Sequence, residues 1–95
     1  MAFEIIFKKR FINKLLKVQT YLEKEWGDQV AKTFLFKIDL RVNMLKEYPY
    51  LGAASKKIPG VRALLITKHN ILFYKIEGNR IIVLNLFDTR ADVGK

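Results

Sequence analysis

The chain has 95 residues, 18 basic and 9 acidic, for a net charge of +9, and 51% of it is apolar. That length holds one hydrophobic core and excludes two, while the apolar content excludes wholesale disorder. Cysteine is absent and there is one histidine, so disulfide frameworks, thiolate chemistry and Cys/His metal spacing are not expected. The excess of positive charge favours a polyanionic or acidic partner. No run approaches the roughly 18 consecutive apolar residues of a membrane span. The N-terminal apolar run carries Glu4 and stops at Lys8, unlike a signal peptide, and a soluble cytoplasmic protein is expected.

Phe3–Phe7 alternates as a short strand, with Phe3, Ile5 and Phe7 on one side, and is expected to join a sheet at its edge. Lys8-Lys9-Arg10 closes it with charge, which discourages edge-to-edge aggregation. Residues 10–26 read as a helix: Phe11, Leu15, Val18, Leu22 and Trp26 recur on one helical face, widened by Ile12 and Leu16, and Lys14, Lys17, Glu23 and Lys24 fill the wet side. Gly27 is placed to stop this helix and Asp28 to cap the next. The second helix, 28–48, has the seam Val30, Phe34, Ile38, Val42 and Leu45, and Pro49 bars its continuation. Tyr50–Gly60 is expected to be a loop.

Three apolar runs follow, Val61–Lys68, Ile71–Ile76 and Ile81–Phe87, separated by the turn-type residues Lys68-His69-Asn70 and Glu77-Gly78-Asn79. They predict an antiparallel meander. Strict alternation puts Ile82, Leu84 and Leu86 on one face of the third strand and Ile81, Val83, Asn85 and Phe87 on the other. The expected core is Leu15, Leu22, Phe34, Ile38, Leu72, Tyr74, Ile82 and Leu84. The face bearing Ile71, Phe73, Lys75 and Asn85 mixes apolar and polar groups and is read as a face for a partner. The predicted architecture is α+β: an antiparallel β-sheet with a two-helix hairpin packed on one face, in the order β-α-α-β-β-β, as a single domain over 1–95 with a frayed tail at 89–95.

Catalytic constellations are sparse. His69 falls in a turn, and no glycine-rich phosphate loop or nucleophile motif is present. Asp88 is placed to cap a turn or to pair with Arg90. What remains is cationic: Lys56 and Lys57 on the loop, Arg62 opening a strand, Lys75 within one, Arg80 opening the last and Arg90 after it. Such groups hold phosphates and stabilise charge on a scissile one.

The order of elements in fewer than 100 residues resembles the RelE/ParE superfamily of toxins from type II toxin–antitoxin pairs. The residues that carry the resemblance are Tyr21-Leu22 with Trp26-Gly27 at the end of the first helix, and Pro49-Tyr50-Leu51-Gly52 after the second. They continue with Arg62, Ile71-Leu72-Phe73-Tyr74-Lys75-Ile76, the Ile81–Phe87 strand and Asp88-Thr89-Arg90. RelE-like members cut mRNA on the ribosome with sheet lysines and arginines and a C-terminal aromatic; ParE-like members inhibit DNA gyrase. By position, Arg62 and Arg90 match basic positions of the RelE set and are the catalytic candidates. Leu64 and Ile71 stand where further basic residues would be, and the chain ends Val93-Gly94-Lys95 with no tyrosine.

The resemblance therefore implies a ParE-like, plasmid-stabilising toxin that inhibits gyrase by binding, needs no cofactor or metal, and is neutralised by an acidic cognate antitoxin. The implied target-binding set is Lys56, Lys57, Arg62, Lys75 and Arg90. The implied antitoxin-binding set is Ile71, Phe73, Val83, Asn85 and Phe87. Assembly as a homodimer or a toxin–antitoxin hetero-oligomer is expected, with no membrane. The alternatives are a ribosome-dependent mRNA endonuclease and a non-toxic basic nucleic-acid-binding module.

Overall fold

A computed structural model describes residues 3–88. Within them the elements are β1 (Glu4–Phe7), α1 (Lys9–Trp26), α2 (Asp28–Glu47), β2 (Ala53–Ala54), β3 (Arg62–Thr67), β4 (Asn70–Glu77) and β5 (Arg80–Asp88). The strands form one sheet in the order β1-β5-β4-β3-β2. The two helices pack against one of its faces, the α+β arrangement expected from the sequence. The 89–95 tail lies outside the described residues. Among the described residues, no helix is long and apolar enough to cross a membrane.

The meander β3-β4-β5 is antiparallel, but β1 lies parallel to β5, in register from Glu4↔Arg80 to Phe7↔Val83. The sheet is thus mixed, and the expectation of a wholly antiparallel one fails at this edge. The Glu4 N–H donates to the Asn79 carbonyl at 2.9 Å and the Lys8 N–H to Val83 at 2.9 Å, fixing β1 at both ends. A four-residue strand with Ile5 and Ile6 on opposite faces satisfies either direction. The direction is set by where the helix hairpin returns the chain. Within the expected 50–60 loop, β2 makes a two-residue antiparallel pairing, Ala53↔Ala63 and Ala54↔Arg62.

Phe11, Val18 and Leu22 of α1 and Ala31, Phe34, Ile38, Val42 and Leu45 of α2 face the sheet. Gly27 joins the helices at φ 96°, where a side chain would be strained. The seam of α2 begins at Ala31, which turns Val30 outward to 42% exposure. Trp26, expected at the end of the α1 stripe, is 61% exposed at the hairpin tip. Opposite the helices lie Leu64, Ile66, Leu72, Tyr74, Ile81, Val83 and Leu86. Leu45, Leu72 and Leu86 are fully covered, each contributing ~1.5–3 kcal/mol relative to exposure.

Strict alternation breaks in β5. Tyr74 pairs with Val83 but Phe73 with Asn85, so Leu84 is an extra residue in the ladder, a β-bulge. Ile81 and Val83 precede it and Leu86 follows it on the helix side. Ile82, Leu84, Asn85 and Phe87 belong to the other face, as their pairings with Lys75, Phe73 and Ile71 require. Of the expected core, Leu22, Phe34, Ile38, Leu72 and Tyr74 lie under the helices, and Ile82 is buried on the opposite face. Leu15 and Leu84 are half-buried.

Candidate functional site

The segment after α2 is held by two side chains from the sheet. Pro49 ends the helix because it lacks a donor. The fully buried Tyr74 then donates its hydroxyl to the Pro49 carbonyl at 2.7 Å and accepts the Gly52 N–H at 2.9 Å. A Cβ on Gly52 would lie 2.8 Å from the Ala63 carbonyl and 2.9 Å from the Tyr74 hydroxyl, so only glycine passes. Arg62 completes the hold. Its Nε donates to the Gly52 carbonyl at 2.8 Å, an Nη to Tyr50 at 3.4 Å, and the guanidinium lies 5.1 Å from the centre of the Tyr50 ring. Arg62, expected as a catalytic and target-binding cation, is half-buried and directs its planar fork into its own loop.

The sheet face away from the helices gathers Ile71, Phe73, Lys75, Asn85 and Phe87 with Ala63, Leu65, Ile82 and Leu84. Phe73 and Phe87 meet edge to face at 6.4 Å, a favourable ring geometry. Lys75 Nζ pairs with Glu77 at 2.8 Å. That hydrogen bond, then the Lys75 charge, holds the Glu77 carboxyl below its ordinary range. Val83, expected on this face, is fully buried under the helices instead, because the bulge at Leu84 reverses the alternation before it. Ser55 Oγ accepts the N–H groups of Lys57 and Ile58 at 3.2 and 3.1 Å. This tight turn leaves Lys56 and Lys57 exposed. Arg62 shares the helix-side face with its partner Tyr74, so it and Lys75 do not converge. Arg90 lies outside the described residues.

Further concavities flank these elements, one of them lined by Lys8, Lys9, Arg10, Ile58, Val61, Phe73, Leu84 and Asn85. A cleft of about 660 Å³ at the hairpin tip is lined by Leu22, Trp26, Val30, Phe34, Lys37 and the Thr67–Asn70 turn, which includes His69. Thr67 Oγ1 shapes that turn, donating to Asn70 Oδ1 at 2.7 Å and accepting the His69 N–H at 3.1 Å. A groove of about 560 Å³ runs between α1 and β5, lined by Lys9, Arg10, Asn13, Lys14, Lys17 and Asn85. The i, i+4, i+7 spacing of Arg10, Lys14 and Lys17 is legible in the sequence but reads there as an ordinary wet face. Among the described residues, no three His, Cys, Asp or Glu side chains are grouped to hold a metal ion.

The sequence model for the ParE toxin of the parDE type II toxin–antitoxin system matches residues 5–93. The chain belongs to the ParE toxin family. Its fold is similar to that in the chromosomal ParDE toxin–antitoxin system from P. aeruginosa, at 18% identity and a TM-score of 0.79 over 92% of this chain and 96% of that one. It is also similar to that in the RelBE2 toxin–antitoxin complex from Mycobacterium tuberculosis, at 12% identity and 0.65 over 93% and 99%. The YoeB dimer from Staphylococcus aureus shares it at 15% identity and 0.62 over 92% and 97%. No curated protein sequence matches. In this ParE-family toxin, the Pro49-Tyr50-Leu51-Gly52 run marks a loop that Tyr74 and Arg62 hold to the sheet.

Proposed function

We propose that this toxin arrests growth by binding DNA gyrase, and that an acidic cognate antitoxin neutralises it by covering the open face of the sheet. The observation that carries the reading is the character of that face. Leu65, Ile71, Phe73, Leu84 and Phe87 dominate it, and its cation Lys75 is paired with Glu77. Such a face takes up apolar side chains of a protein partner. Cleavage of RNA requires groups that activate the 2′-hydroxyl, stabilise the phosphorane and protonate the leaving oxygen. Arginine stays protonated and an exposed lysine nearly so, so neither serves as the base. Leu64 and Ile71 on the sheet supply no charge.

In this reading the exposed Lys56 and Lys57 contact the target, and Ile71, Phe73, Asn85 and Phe87 contact the antitoxin. Charge complementarity with an acidic antitoxin speeds encounter and disfavours wrong partners. The match to the ParE sequence model supports gyrase over the ribosome. The test adds purified toxin to a supercoiling reaction and, separately, to translating ribosomes. A dose-dependent loss of supercoiling, reversed by the antitoxin, is expected. Codon-specific mRNA cuts with supercoiling unaffected would overturn the reading in favour of an endonuclease. Normal growth under strong induction of soluble protein would point to a non-toxic nucleic-acid-binding module.

A further inference from the structure

We propose that the α1 face bearing Lys9, Arg10, Asn13, Lys14 and Lys17 binds the phosphodiester backbone of a nucleic acid without reading its bases. Arg10, Asn13, Lys14 and Lys17 fall at i, i+3, i+4 and i+7, one continuous face of the helix. At about 1.5 Å per residue they span about 10 Å. Asn85 of β5 forms the opposing wall. Its Oδ1 accepts the Leu86 N–H at 2.8 Å, which leaves the NH₂ of that amide as a donor. The groove therefore offers an anion cations and a fixed donor, and no carboxylate lines it.

The first turn of α1 holds no acid, although acids are what stabilise that positive end of a helix. Among the described residues none of these α1 cations is held in an ion pair with a carboxylate, so their charge is presented to the groove. The groove itself carries no apolar side chain; the apolar anchors on which protein interfaces depend, Ile58, Val61, Phe73 and Leu84, lie in the adjoining concavity, which shares Lys9, Arg10 and Asn85. Contacts to phosphate need charge and hydrogen bonds alone.

The proposal does not rest on the gyrase reading, although it shares Asn85 with the antitoxin-facing set, and its test contains neither gyrase nor antitoxin. Fluorescence anisotropy measures binding of a labelled short duplex DNA across a salt series. The same measurement is made with a single-stranded RNA of equal length and with polyglutamate as competitor. The protein is compared with an Arg10→Gln, Lys14→Gln, Lys17→Gln triple variant and with a charge-matched Lys24→Gln, Lys32→Gln, Lys37→Gln control. The α1 variant is expected to lose at least about tenfold in affinity for duplex DNA, and its log–log salt slope to fall by about 2–3, at about 0.9 per phosphate contact. The control is expected to stay within about threefold. Tighter binding of the duplex than of the RNA at matched salt would identify the duplex as the better fit, and the converse the single strand, since the slope per phosphate already differs between the two forms. Asn85→Asp keeps the acceptor that Leu86 uses and replaces the donor with charge, so it weakens binding at unchanged melting temperature. Equal losses in the α1 variant and the control would overturn the proposal, as would displacement by polyglutamate at matched charge, which would make the groove an acidic-protein site.

Discussion

Replacing Tyr74 with Phe deletes one oxygen from a fully buried ring and leaves the ring's packing in place. That oxygen serves two loop groups, the Gly52 N–H at 2.9 Å and the Pro49 carbonyl at 2.7 Å. Gly52 is buried, so its N–H stays unsatisfied at a cost of about 1–3 kcal/mol. Pro49 is half-buried and regains water, so its lost bond costs about 0.5–1.5 kcal/mol. The sum, about 2–4 kcal/mol, is a large share of the ~5–15 kcal/mol that stabilises a domain. At about 4–8 °C per kcal/mol for a chain of this size, Tm is expected to fall by roughly 10–30 °C. Thermal and urea unfolding followed by circular dichroism measure it, with an unchanged denaturant slope. Gly52→Ala presses a methyl against the Ala63 carbonyl and the same hydroxyl. The two substitutions together should therefore cost less than their sum. A Tyr74→Phe protein melting within about 3 °C of the parent would refute the reasoning, because the segment would then not depend on this hydroxyl.

Arg62→Ala is expected to lower stability by about 1–2 kcal/mol, and Arg62→Lys not to restore it, because lysine lacks the planar fork; lost gyrase inhibition at unchanged Tm would instead make Arg62 a target-binding cation. Phe73→Ser is expected to weaken antitoxin binding by about 1–3 kcal/mol in calorimetry, while Val83→Ala lowers Tm by the equivalent of about 1–3 kcal/mol and leaves antitoxin affinity unchanged. The reverse pattern would move Val83 back to the open face. The Glu77 carboxyl, titrated by NMR, should show a midpoint below the ordinary value of about 4.3, and Lys75→Met should raise it. Its folded value is the lower one, so the pair's contribution is complete above the ordinary range and fades as pH falls through the folded value. A midpoint unmoved by Lys75→Met would show that the ion pair does not form in solution.

The sequence by itself determined the elements and their order. Phe11, Val18 and Leu22, and Phe34, Ile38, Val42 and Leu45, repeat at helical spacing, Gly27 and Pro49 punctuate them, and short β-branched runs alternate after residue 60. These signals are local. Each depends on the period of one element and on residues that stop it. The features that the tertiary structure decided are non-local. The parallel pairing of β1 with β5 depends on the path of the whole chain from Lys8 to Asn79, the helix hairpin and three strands included, which four residues cannot encode.

The bulge at Leu84 exchanges the two faces of half a strand. An extra residue in a ladder has no signature in a run such as Ile81-Ile82-Val83-Leu84, where every side chain suits either face. That ambiguity placed Val83 with the partner-facing residues and hid it from the core. Arg62 stood out as a charge opening a strand. Only the approach of Gly52 and Tyr50, ten and twelve residues away in sequence, showed that its guanidinium is directed inward. A side chain's chemistry is written in its identity, but what that chemistry serves depends on which backbone groups the fold brings within about 3 Å of it.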